Sequence, residues 1–202
     1  MPHRELLGFE SCSASAQTAI CKETRNLEAR LMKILIPAEE IRQRVDELGR
    51  EIAAVYPNHE PVTIVGVLTG SLVFLADLIR RLDLPLRIAL IQASSYRGAT
   101  TTPGELRIEP DIALDVRGRH VLLLDDILDT GKTLSKLMDH VRALEPRSVR
   151  VVVLLRKRGR QVVPLEPNFC GFEIPDEFVI GYGLDYNDEY RHLPFIGVLP
   201  KK

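Results

Sequence analysis

Between Val121 and Leu134 the chain reads VLLLDDILDTGKTL: four apolar residues, a pair of acids, a third acid, then Thr-Gly-Lys-Thr. Carboxylates beside a Gly- and Thr-rich turn suit a ligand that joins an anionic group to hydroxyls or a developing positive charge. Ionised carboxylates accept hydrogen bonds and stabilise cations, while the N–H groups at a helix start, backed by the helix dipole, hold phosphate. Thr130 and Thr133 add hydroxyl donors, and Gly131 lets the backbone approach closely. A ribose 5-phosphate presents both features. A nucleotide triphosphate loop is excluded, because it needs a glycine five residues before Gly131 and that position is Asp126. Helix capping by Asp129 or Thr130 explains one residue of the cluster and leaves the others unexplained.

The elements that must position these residues follow from hydrophobic spacing. Ile41, Val45, Leu48, Ile52 and Val55 recur at steps of four and three, one face of an amphipathic helix that stops before Pro57. Short apolar runs follow at residues 63–68 (TIVGVL), 87–93 (RIALIQA), 120–126 (HVLLLDD), 149–155 (VRVVVLL) and 178–184 (FVIGYGL). Runs apolar at every position read as strands covered on both faces. Between them, Leu72, Leu75, Leu78, Ile79 and Leu82 mark one helix, and Leu134, Leu137, Met138, Val141 and Leu144 another. The alternation predicts an open, mostly parallel α/β sheet, whose ligands bind beyond the carboxyl ends of the strands. The acids of the Val121 run lie at such an end.

Composition narrows the class of partner. The 202 residues, 45% hydrophobic and 27% charged, suffice for one domain with a sizeable core. With 27 basic and 28 acidic residues the net charge is -1, which gives no bulk attraction for nucleic acid or membrane surfaces. No apolar run approaches the roughly 18 residues of a bilayer span, and the N-terminus lacks the apolar core of a secretory signal, so a cytoplasmic location is expected. Cys12, Cys21 and Cys170 lack disulfide or zinc spacing, and the five histidines lack metal-ligand spacing. Residues 1–32 have little periodicity and read as a poorly ordered extension, with Met32 a second possible start; residues 33–202 read as one domain.

VLLLDDILDTGKTL closely resembles the signature of the phosphoribosyltransferases that use 5-phosphoribosyl 1-diphosphate. The resemblance implies the type I phosphoribosyltransferase fold, an open parallel twisted sheet flanked by helices, with a small hood from the chain ends over the base pocket. It assigns the ribose hydroxyls to Asp125 and Asp126, and the 5-phosphate to Asp129, Thr130, Gly131, Lys132 and Thr133. Asp129 would accept the purine N7 proton.

The segments LLRKR and GFEIPDEFVIGYGLDYNDEYRHLPFIGVL resemble the purine end of the hypoxanthine and guanine branch. There Lys157 would donate to the exocyclic O6, a choice that disfavours adenine because its 6-amino group is itself a donor. Phe178 would stack on the ring, the Val179 backbone would read the base edge, and Ile127 and Asp185 would complete the purine pocket. Asp185 would also hold Mg2+ on the diphosphate side, with Asp125 and Asp126 contributing through ribose or water, and Arg191 would grip the diphosphate. VLTGSLVFLADL resembles the diphosphate loop, Leu68, Thr69 and Gly70, with a non-proline cis peptide between Leu68 and Thr69. Related enzymes often carry lysine where this chain has Thr69, which leaves that contact to the backbone.

The polar stretch from Ser94 to Ile108 is either disordered surface or a lid. The resemblance favours a lid, with Ser95 and Tyr96 closing over the diphosphate to exclude water. The implied activity is purine salvage, forming IMP or GMP from hypoxanthine or guanine in a homodimer or homotetramer, with no nucleic-acid or membrane partner. Two alternatives stay open: a xanthine-preferring sister enzyme, and a nucleic-acid-binding regulator of the same fold that senses the sugar diphosphate. The regulator would need a basic face, against which the net charge of -1 argues.

Overall fold

The chain folds around one six-stranded sheet, seen in a computed structural model that describes residues 32–56, 60–94, 107–108 and 116–199. In chain order the elements are β1 (Lys33–Ile36), α1 (Ala38–Val55), β2 (Val62–Leu68), α2 (Leu72–Ile79), β3 (Leu86–Ser94) and β4 (Arg107–Ile108). There follow β5 (His120–Leu128), α3 (Lys132–Arg142), β6 (Ser148–Lys157), β7 (Phe169–Ile174), β8 (Val179–Ile180) and β9 (Ile196–Val198). The large sheet runs β4-β3-β2-β5-β6-β7. Its strands are parallel except β4, which is antiparallel to β3. A small sheet, β1-β9-β8, is built from the two ends of the unit Ile34–Leu199.

The apolar runs are strands because both sheet faces are covered. Ile64, Leu122, Val152 and Leu154 pack with Ile41, Val45, Leu48 and Ile52 of α1 and with Phe74 and Leu78 of α2. Their neighbours Val65, Leu123, Val151 and Val153 turn to a second core with Leu134, Leu137 and Val141 of α3. Alternate side chains thus feed opposite cores, and no position within these strands is left to water. Leu122 is fully buried, and its truncation to alanine would cost about 2–5 kcal/mol. No helix among the described residues is long and apolar enough to cross a membrane.

Two details depart from the sequence expectation. The run at residues 178–184 supplies only Val179–Ile180 as strand, paired with β9 in the small sheet. Beyond it Gly181, Tyr182 and Gly183 all take positive φ, which turns the chain out of the strand. The fifth parallel strand is instead β7, whose sequence FCGFEI lacks a continuous apolar pattern. As an edge strand it pairs with β6 alone, and Arg44 of α1 donates to the carbonyls of Cys170 and Gly171 at 2.9 and 3.0 Å. One-sided burial needs fewer apolar residues, and the arginine blunts the edge.

Taken in chain order, the parallel strands follow the pattern 2-1-3-4-5, so the order reverses between β2 and β5. A crevice opens at such a point beyond the carboxyl ends. Register places Gly66 beside Leu124, which brings the end of β2 alongside the acids of β5.

Candidate active site

At that crevice lies a cavity of about 300 Å³, lined by Thr69, Gly70, Asp126, Ile127, Asp129, Lys157, Phe178, Val179, Leu184, Asp185 and Arg191. All except Leu184 are residues the sequence singled out. Leu184 carried no signal of its own, being one more apolar residue in an apolar run. The elements that bring the rest together are the ends of β2, β5 and β6 and the segment around β8.

The contact between the β2 and β5 ends is too close for any side chain at residue 70. A Cβ on Gly70 would lie 1.7 Å from Asp126 Oδ2, and one on Gly183 would lie 2.1 Å from the Gly70 carbonyl oxygen. The Leu68–Thr69 peptide is cis, as the resemblance implied. Leu68 itself stands just outside the cavity lining.

Asp125 and Asp126 are consecutive at the end of β5, and the Asp126 N–H donates to Asp125 Oδ1 at 3.0 Å. Burial, then the adjacent Asp126 carboxylate, push Asp125 well above the usual carboxylate range. Burial likewise raises Asp126, partly offset by its hydrogen bonds and by the Arg191 charge. Asp125 is only 8% exposed and lies just outside the cavity lining, next to Asp126 within it.

Past these acids the chain turns into α3. Its N-cap is Gly131, at φ 79°, which has no side chain to cap the helix, and the first-turn Lys132 N–H makes a long hydrogen bond to Thr130 Oγ1 at 3.5 Å. Capping thus accounts for Thr130 at most and not for the acids. Thr130 and Thr133 are partly buried and Lys132 is exposed, and the three flank the helix start.

Asp129 and Lys157 of the lining belong to a charged quartet completed by two residues outside it, Arg160 and Asp176. Asp129 faces Lys157 at 3.7 Å and Arg160 at 3.0 Å, and Asp176 faces the same two cations at 3.8 and 3.4 Å. Arg160 and Asp176 were not singled out by the sequence reading. Their signal lies in the basic cluster Arg156, Lys157, Arg158 and Arg160 and in the acid two residues before Phe178. Phe178, 51% exposed, meets the ring of Tyr186 edge-on at 5.7 Å.

Asp185 and Arg191 pair at 2.8 Å, and Arg191 also donates to the Gly183 carbonyl at 2.8 Å and approaches Asp188 at 3.2 Å. The Asp188 N–H donates to the other Asp185 oxygen at 2.9 Å. Among the described residues no group of three or more His, Cys, Asp or Glu side chains could cage a metal ion. The donor set is still one that suits magnesium, which commonly takes one or two carboxylates and completes its shell with ligand phosphate and water. Ser95 and Tyr96 lie outside the described residues, as do residues 1–31.

Residues 37–187 match the family model described as a phosphoribosyl transferase domain. The chain is 40% identical over 176 residues to the hypoxanthine-guanine phosphoribosyltransferase of Streptococcus pneumoniae, covering 87% of this chain and 97% of that protein. It is also 40% identical over 193 residues to the bifunctional protein TilS/HprT of Listeria innocua, covering 93% of this chain, but it spans only 30% of that protein's length. A crystal structure of a hypoxanthine-guanine phosphoribosyltransferase from Bacillus anthracis superposes with a TM-score of 0.77 at 39% identity, covering 83% of this chain and 98% of that one.

Proposed function

The chain belongs to the phosphoribosyl transferase family, in its hypoxanthine(-guanine) branch, and from that premise we propose a purine salvage enzyme. It moves the 5-phosphoribosyl group of 5-phosphoribosyl 1-diphosphate to N9 of hypoxanthine or guanine and releases diphosphate, with IMP or GMP as product. The observation that carries the reading is the single cavity in which Lys157, Phe178 and Asp129 face Asp126, Thr69, Gly70, Asp185 and Arg191. A base reader, a sugar site and a diphosphate grip thereby share one space of a few hundred cubic ångströms.

The base enters with its ring against Phe178 and its O6 toward the Lys157 ammonium. The Val179 backbone reads its edge and Ile127 closes the pocket. The ribose hydroxyls donate to Asp126 and Asp125, and the 5-phosphate sits on the start of α3, with Thr130, Gly131, Lys132 and Thr133 around it. Arg191 and the Thr69–Gly70 backbone hold the diphosphate. As the C1–O bond breaks the sugar acquires oxocarbenium character, which the nearby carboxylates stabilise. Asp129 accepts the N7 proton as N9 bonds to C1, a base role consistent with its place between the phosphate turn and Lys157. Asp185, with the Asp125–Asp126 pair through ribose or water, would hold Mg2+, which when bound would supply charge neutralisation for the leaving diphosphate.

The test is initial-rate nucleotide formation with magnesium, 5-phosphoribosyl 1-diphosphate and, separately, hypoxanthine, guanine, xanthine and adenine. Turnover of hypoxanthine or guanine with adenine refused is the expected result. Preference for xanthine would move the chain to the sister enzyme. Sugar-diphosphate binding without turnover of any base would sink the salvage reading.

A further inference from the structure

The turn that carries Asp185 and Arg191 is joined to the helix that follows the diphosphate loop by a contact that the reaction scheme does not use. Tyr182, 7% exposed, donates its phenol hydrogen to Asp77 Oδ2 at 2.7 Å, across 105 residues of sequence. Asp77 lies on α2, the helix that begins directly after the Thr69–Gly70 loop. That helix is itself tied to α1, since Arg81 Nε donates to Asp46 Oδ1 at 2.7 Å.

On the turn, the Tyr182 N–H donates to the Leu193 carbonyl at 2.8 Å and the Gly183 N–H to the Arg191 carbonyl at 2.9 Å. The Arg191 guanidinium returns to the Gly183 carbonyl. A shift of Tyr182 therefore moves Gly183 and Arg191 together. Gly183 rests on Gly70, and Gly70 on the Asp126 carboxylate, with no space for a Cβ at either glycine. Behind the turn is a second cavity of about 380 Å³, whose walls include Asp77, Tyr182, Arg191 and His192. The Tyr182 ring is packed in the same core as Phe74 and Leu78 of α2, so the hydrogen bond to Asp77 fixes the orientation of a ring that packing already holds against that helix.

We infer that Tyr182, through its hydrogen bond to Asp77, is a positioning residue that seats the Gly183–Arg191 turn on the Thr69–Gly70 loop and thereby sets affinity for the sugar diphosphate. The inference rests on the phosphoribosyl-transfer reading. Burial, reinforced by the Asp77 carboxylate, pushes the phenol's ionisation far up, so Tyr182 remains a donor throughout the working pH range. Lys157 and Asp129 stand on other elements, and Phe178 meets the turn only through β8 and the edge of Tyr186, so the base side is expected to respond less to this bond than the diphosphate side.

The experiment compares KM for 5-phosphoribosyl 1-diphosphate and KM for hypoxanthine in the full chain and in Tyr182→Phe, Asp77→Ala, Asp77→Asn and the double variant Tyr182→Phe/Asp77→Ala. Loss of a hydrogen bond to a charged partner predicts a rise of about 10-fold in KM for the sugar diphosphate in Tyr182→Phe, with KM for hypoxanthine within about twofold. Asp77→Asn keeps an acceptor and should stay within about threefold of wild type, while the double variant should match the more affected single one. Unchanged KM in Tyr182→Phe beside an active wild type overturns the inference alone. So do equal rises in both KM values, which mark a general structural loss, and additive effects in the double variant. If Tyr182→Phe fails to fold, Asp77→Ala against Asp77→Asn decides the same question. A wild type inactive on every base, with sugar-diphosphate binding intact, overturns both the inference and the reading beneath it.

Discussion

The two sides of the site, its base wall and its sugar wall, handle charge in opposite ways. On the base side, Asp129, Lys157, Asp176 and Arg160 alternate in sign, and each acid has both cations within 4 Å. On the sugar side, Asp125 and Asp126 are like charges in sequence, partly or wholly buried, and both ionise less readily than an ordinary aspartate. The paired wall holds its geometry without a ligand, which suits recognition of a neutral base by fixed donors and acceptors. The unpaired wall is electrostatically incomplete by itself. Hydroxyl donors and a positive charge relieve it, and a ribosyl group passing through an oxocarbenium-like state brings both.

The most severe break of this contrast is Asp129→Asn, which leaves the sugar wall intact and removes the proton acceptor. Turnover should fall about 10²–10⁴-fold, while the dissociation constant for 5-phosphoribosyl 1-diphosphate, measured by calorimetry, stays within about threefold. A matching loss in binding would assign Asp129 to ligand binding instead of proton transfer. Next comes Lys157→Met, which deletes the donor to O6 while Asp129 keeps Arg160 at 3.0 Å. KM for hypoxanthine should rise about 10–100-fold, as expected when a buried polar match is lost, with little change in KM for the sugar diphosphate. Retained discrimination against adenine in this variant would remove Lys157 from base selection.

On the sugar wall the expected effect is smaller and has two signs. The folded chain holds a proton on Asp125 more tightly than the unfolded chain does, because burial and Asp126 raise its folded value above the usual 3.8. The stability this group contributes is therefore complete below about pH 4, and it is lost as pH rises through the raised folded value. Asp125→Asn has no such proton to lose. Its melting temperature should decline less than that of wild type from about pH 4 to neutrality, and its affinity for the sugar diphosphate should fall about 10-fold through loss of a charge-assisted hydrogen bond. Parallel melting curves across that range would show that Asp125 is not the source of the dependence.

The same contrast explains what was readable from the amino acids. The sugar wall and the turn into α3 are contiguous, from Asp125 to Thr133, at the end of a four-residue apolar run, so strand, acids and turn could be read from one stretch. The paired wall comes from β5, β6 and the segments after β6 and β7. Arg160 and Asp176 acquire meaning only once the β5–β6 register sets the Leu128 end beside Arg156. Strand β7 was missed because an edge strand needs no apolar residue at every position, and Arg44 rather than a neighbouring strand takes two of its carbonyls. The 178–184 run misled for the opposite reason. Its apolar composition is continuous, yet positive φ at Gly181, Tyr182 and Gly183 bends it into the turn on which Asp185 and Arg191 stand.

The mildest perturbation sharpens the comparison most. Arg160 is half exposed and donates Nε to Asp129 Oδ1 at 3.0 Å, while Lys157, largely buried, faces the other oxygen. An exposed ion pair is worth about 0.2–1 kcal/mol, so Arg160→Gln should change kcat or KM for hypoxanthine by no more than about fivefold. It leaves Asp129 one cation, and Asp176 still holds that cation from the other side at 3.8 Å. If the base wall is a mutually neutralising quartet, removal of one exposed member is absorbed by the remaining three, and only a second substitution at Asp176 produces a large loss. A drop of 100-fold or more from Arg160→Gln alone would show that Asp129 depends on one specific guanidinium, and the base wall would then be as unbalanced by itself as the sugar wall.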